Sequence, residues 1–121
     1  MLNSEESEAR KFLRHLPYEE GFHFFTGVGK YTGETANGLE TFAEEIAVIE
    51  EASIRFHVQR DDFQKWIRNT IGDEVLAERI SQVDRQLPAD NLRKELSRIV
   101  QTRIIELTHH LLQGRQKHHH S

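Results

Sequence analysis

The stretch from Asp90 to Gly114 limits the fold more than any other part of this sequence. No proline or glycine interrupts it before Gly114, and Leu92, Leu96, Ile99, Val100, Ile104, Leu107 and Leu111 recur at helical spacing. The pattern predicts one long helix, capped by Asp90 and ended by Gly114. Its apolar stripe is wider than a coiled-coil seam, so it needs several packing neighbours and leaves room for a dimer interface.

The preceding segments supply those neighbours as shorter amphipathic helices. Ala9, Phe12, Leu13 and Leu16 share a face of a helix over residues 4–16, with Ser4 or Ser7 as N-cap and Pro17 as its stop. Leu39, Phe42, Ala43, Ile46 and Ile49 line a second helix. Asn37 or Gly38 caps it, and Glu40 stands at capping-box spacing from Asn37. Ser53 caps a third, which breaks near Arg60, where Asp61 or Asp62 offers a new start before Phe63, Trp66, Ile67 and Ile71. Gly72 ends that segment, Asp73 caps the helix bearing Leu76, Ala77, Ile80 and Val83, and Leu87-Pro88 makes the last connection.

Between the first two helices lies Phe22-His23-Phe24-Phe25, followed by the glycine-rich TGVGKYTG. The aromatic run reads as a short extended segment or a helical turn. A lone strand cannot satisfy its own edges, so no sheet is implied. The expected fold class is all-α: a compact bundle of five or six helices with a kinked central pair and a long C-terminal helix. One domain spans residues 1–117. The His-containing tail at 118–121 resembles a tag remnant and is set apart.

A length of 121 residues suffices for one core without staples, and the absence of cysteine excludes disulfides, thiolate zinc sites and a cysteine nucleophile. The acidic, amphipathic start has no apolar h-region, and no apolar run reaches the length of a membrane span. These features point to a cytoplasmic protein. The net charge of −4 is unevenly placed. Glu34 to Ile54 holds Glu34, Glu40, Glu44, Glu45, Glu50 and Glu51 with no Lys or Arg. Leu92 to Lys117 holds Arg93, Lys94, Arg98, Arg103, Arg115 and Lys117 against Glu95 and Glu106. Oppositely charged solvated helix faces account for this; a basic surface for an acidic partner is the functional counterpart.

The run from Phe56 to Arg68, FHVQRDDFQKWIR, and its continuation IGDEVLAERI resemble a widespread prokaryotic family of small helical domains of unknown function. Phe24-Phe25-Thr26-Gly27 leading to Leu39-Glu40-Thr41-Phe42 shares that likeness, which covers about residues 22–83 and not the last helix. The resemblance implies a compact helical domain and no activity.

Three constellations are candidates for chemistry. On a helix His57 faces Asp61 at i+4, with Asp62 beside it, and a carboxylate-oriented histidine is a general-base arrangement. The same pairing also satisfies a half-buried histidine. Glu20 with His23 and Glu106 with His109 have the Glu-x-x-His spacing of carboxylate-bridged metal sites, and His110 is adjacent. Yet a chain this rich in Glu and His yields such pairs by composition, and histidine near the end of the last helix suits the helix dipole. The glycine loop matches neither phosphate-binding fingerprint. No aromatic accompanies the basic residues of the last helix, which weighs against nucleic acid. The expected function is a non-enzymatic interaction or regulatory module without cofactor. It self-associates as a homo-oligomer, or docks a partner protein, through the C-terminal helix. The alternative is a helical bundle binding iron or another divalent metal; a small His/Asp enzyme ranks third.

Overall fold

A computed structural model describes residues 3–119, with side chains described as far as Gly114. Helix α1 (Ser4–Phe12) is followed by a single 3-10 turn (Tyr18–Glu20) and two strands, β1 (Phe22–Phe25) and β2 (Tyr31–Ala36). Helices α2 (Leu39–Val48), α3 (Glu51–Gln59), α4 (Asp62–Trp66), α5 (Glu74–Ser81) and α6 (Ala89–His119) complete the described chain.

The strands correct the all-α expectation: the fold is mixed α/β. They form an antiparallel hairpin with Phe22 opposite Ala36, His23 opposite Thr35 and Phe25 opposite Tyr31, irregular between His23 and Phe25. The glycine-rich segment is the hairpin turn, closed by Lys30 N–H on the Gly27 carbonyl at 3.0 Å and Thr26 N–H on that of Lys30 at 3.0 Å. β2 escapes sequence reading because it is mostly exposed and carries Gly33 and Glu34. The lone-strand objection fails because the core covers the hairpin's inner face. Phe22 and Phe24 point inward, with Phe22 ring centroids 5.7 Å from Phe42, 5.1 Å from Phe63 and 5.6 Å from Trp66.

α6, about 46 Å long by its helical rise, is the axis of the molecule. α1, α2, α3 and α5 all pack on it, burying Leu92, Leu96, Ile99, Val100 and Leu107. It continues past Gly114, contrary to the expected stop. Gly114 instead makes room for α1, since a Cβ there would collide with the Glu6 carboxylate. The last residues of the expected tail, 120 and 121, lie outside the described residues.

Several caps also differ. Asn3, not Ser4 or Ser7, caps α1, its Oδ1 accepting from Glu6 N–H at 2.6 Å, and α1 ends at Phe12. In front of α2, Asn37 N–H donates to Thr41 Oγ1 at 2.9 Å, so Thr41 takes the part expected of Glu40. Ser53 is fully buried, and among the described residues its hydroxyl has no hydrogen-bond partner. Asp73 caps α5 as expected, accepting from Leu76 N–H at 3.1 Å, after Gly72 adopts φ +95°. The last turn before Gly72 widens into a π-turn (Ile67–Ile71), whose final carbonyls receive Arg14: Thr70 at 2.7 Å and Ile71 at 3.1 Å. Arg93 does the same for the end of α2, donating to Ile46 and Ile49.

Candidate functional site

The break expected near Arg60 shapes the candidate site. α3 ends at Gln59 and Asp61 turns the chain with φ +60°, rare for a non-glycine residue but tolerated by Asp. The turn brings Asp62, not Asp61, to His57. His57 Nδ1 lies 2.8 Å from Asp62 Oδ2, and Phe25 N–H of β1 donates to His57 Nε2 at 2.9 Å. A backbone amide can only donate, so Nε2 is the bare nitrogen and Nδ1 carries the proton toward Asp62.

The ring is 3% exposed, packed edge-on against Phe22 with centroids 4.7 Å apart. Burial holds its pKa below the ordinary value, against the opposing pull of Asp62. Neither nitrogen is left to take a substrate proton; the histidine clips the hairpin to the α3–α4 turn. Asp61 stands apart, engaged by Gln64 Nε2 at 3.1 Å and by Arg85.

The metal candidates do not converge. Glu20 is exposed on the 3-10 turn, and its carbonyl accepts from Trp66 Nε1 at 2.9 Å. His23 lies on β1 with Nδ1 2.7 Å from Thr35 Oγ1, so no helix aligns the two. Glu106 accepts from Arg79 at 2.9 Å and from Arg103 at 3.1 Å; both arginines hold it ionised against the cost of burial. His109 is exposed, and His110 pairs with Glu5 of α1 at 3.1 Å, well before the helix end that was to explain both. Among the described residues no group of three His, Asp or Glu is placed to hold a metal.

Sequence reasoning missed a buried ion pair. Arg103, 7% exposed on α6, donates through Nε to Asp73 Oδ2 at 2.7 Å and through Nη2 to Oδ1 at 3.1 Å. Burial opposes its charge, but Asp73 and Glu106 prevail and raise its pKa. Arg93, which caps α2, is likewise spent on internal structure, whereas Arg98 pairs with Glu95 on the surface. The even spread of these arginines along the helix gave no sign of which one faces inward.

Two surfaces among the described residues stand out. One is a groove of about 390 Å³ between the hairpin and the α3–α4 turn, lined by Phe25, Val28, Phe56 and Arg60 among others. The other is the outer face of α6. From Gln101 to Gln113 the exposed positions are Gln101, Thr102, Ile105, Thr108, His109, Leu112 and Gln113, none of them Lys, Arg, Asp or Glu. Ile105 is 69% exposed and Leu112 51%.

The model of a family of unknown function, DUF5752, matches residues 19–120. The chain belongs to this family. No curated protein and no solved structure matches it. The DUF5752 match extends the likeness beyond residues 22–83 to take in α6, which places the long helix inside the family's domain. The phrases that carried the resemblance now have structural meanings. His57, Asp62 and Trp66 tie the hairpin to the helices, while Gly72 and Asp73 end one helix and begin the next. Among the described residues no helix is long and apolar enough to cross a membrane.

Proposed function

We propose that this DUF5752 protein is a non-enzymatic helix-docking module that self-associates through the outer face of α6. The uncharged exposed face between Gln101 and Gln113 carries this reading. In a chain with 30% charged residues, every exposed position over more than three helical turns lacks a formal charge. Gln101, Ile105, Thr108 and Leu112 follow one another at steps of four, three and four, the spacing of a coiled-coil seam. This line points away from α1, which packs on the side marked by Arg103, His110 and Gly114. A second copy of the same helix, crossing at a small angle, would cover both apolar side chains with matching neighbours.

Deleting α6 would remove Leu92, Leu96, Val100 and Leu107 from the core, so surface substitutions are the sound test. The molar mass of the full chain, measured by light scattering across a concentration series, should show a dimer. The double variant Ile105→Glu with Leu112→Glu should be monomeric with an unchanged circular dichroism spectrum. A wild-type monomer throughout, or a dimer indifferent to both glutamates, would overturn the proposal.

A further inference from the structure

The groove beside the hairpin has its own chemistry. Its volume of about 390 Å³ lies in the range of small-ligand sites, roughly 300–1,000 Å³. Phe25 of β1 and Phe56 of α3 are both half-buried and contribute apolar walls. Val28 sits at the hairpin tip, 83% exposed between Gly27 and Gly29. Arg60 stands at the mouth. Its guanidinium carbon lies 4.9 Å from the centre of the Phe56 ring, and its Nε donates to Asp62 Oδ2 at 3.1 Å. Those two contacts fix the plane of the guanidinium, and neither Nη group has a hydrogen-bond partner among the described residues. An arginine oriented in this way presents its remaining N–H groups to a planar oxyanion.

The charge balance narrows the anion. Among the described residues Arg60 is the one Lys or Arg side chain lining the groove, and Asp62 beside it is shared between Arg60 and His57. A doubly charged phosphate would meet one guanidinium and a neighbouring carboxylate, whereas a carboxylate's single charge suits the site. The walls select a flat apolar body over a polar one. We propose that the groove binds a small aromatic carboxylate, its ring against Phe25, Val28 and Phe56 and its carboxylate on the Nη edge of Arg60.

The test is an amide-resonance NMR titration of the full chain with 3-phenylpropionate, its neutral amide 3-phenylpropanamide, and phenyl phosphate. The carboxylate should give saturable shifts at Val28, Gly29 and the Arg60 side chain. The neutral amide should bind roughly tenfold more weakly, the worth of one charge-assisted contact. Arg60→Gln, at an exposed position, should keep a folded spectrum and bring carboxylate and amide to equal affinity. Three results would overturn the proposal: no saturable shift by about 10 mM, the weak end of fragment affinity; equal binding of acid and amide by the wild type; or phenyl phosphate binding more tightly than the carboxylate.

Discussion

Substituting His57 separates its two hydrogen bonds, because asparagine and glutamine each reproduce one of them. In His57→Asn the introduced amide would lie near the position of Nδ1 and can still donate to Asp62, but nothing then reaches Phe25 N–H, which in the wild type donates to Nε2 at 2.9 Å. Leaving that amide unpaired costs about 1–3 kcal/mol. The lost ring contacts with Phe22 and Phe63, at 4.7 and 5.5 Å, add about 1 kcal/mol. His57→Asn should therefore destabilise by about 3 kcal/mol. In His57→Gln the longer side chain's carbonyl can reach Phe25 N–H, and Asp62 keeps Arg60, so this variant should cost only about 1.5 kcal/mol. His57→Ala, which loses both bonds and opens a cavity, should exceed both. Denaturant midpoints at constant slope read these differences directly. Hydrogen exchange at Phe25 should be fast in the Asn variant and slow in the Gln variant. A pH arm checks the same site. The folded-state pKa lies below the ordinary 6.5 because burial outweighs the pull of Asp62. Below about pH 6.5 the unfolded chain therefore takes up a proton that the folded chain resists. The stability supplied by the neutral ring is fully present above that pH. It is lost as pH falls from there through the folded-state pKa, and the Gln variant should lack this slope. Equal losses for Asn and Gln, or a wild type indifferent to pH between about 7 and 5, would refute the assignment of the two bonds.

Two other sites give opposite signs. Asp73→Ala leaves Arg103 buried with only Glu106 for a partner and removes the α5 cap, so it should cost about 3–5 kcal/mol by denaturant unfolding; a loss below about 1 kcal/mol would mean the pair is solvated. Ser53→Ala removes a buried hydroxyl that has no partner among the described residues, so it should be neutral or raise stability by up to about 1 kcal/mol, and a clear destabilisation would reveal a bond to that oxygen.

The helices were legible wherever apolar residues recur at helical spacing and a capping residue marks the boundary, as at Asp73 and Gly72. Their ends were less legible, because they are set by contacts from distant segments. Gly114 reads as a stop until Glu6 of α1 is seen against it. The hairpin was half legible. Phe22 and Phe24 alternate inward as a strand requires, but β2 has no alternation to match, being shaped by hydroxyl contacts such as Thr32 Oγ1 on the Phe24 carbonyl at 2.8 Å. His57 was visible as a residue that needs a carboxylate. Which carboxylate depends on the left-handed turn at Asp61, which moves Asp62 rather than Asp61 into reach. The Arg103–Asp73 pair spans 30 residues, so no local pattern announces it.

Several of the polar residues that draw notice are fully engaged inside the molecule. His57 has both nitrogens bonded, Glu106 two arginines, Asp73 a cap and a bidentate arginine, and Arg93 two helix-end carbonyls. A group so engaged can meet a ligand only by giving up bonds that hold the fold, each worth about 1 kcal/mol or more. The two proposed binding surfaces draw instead on groups whose bonds are incomplete: the two Nη groups of Arg60, the half-buried Phe25 and Phe56, and Ile105 and Leu112 on α6. The two surfaces sit on different elements and share no residue. A monomeric Ile105→Glu, Leu112→Glu variant should for that reason titrate with 3-phenylpropionate as the wild type does. If it did not, the groove would have to be completed by the second copy.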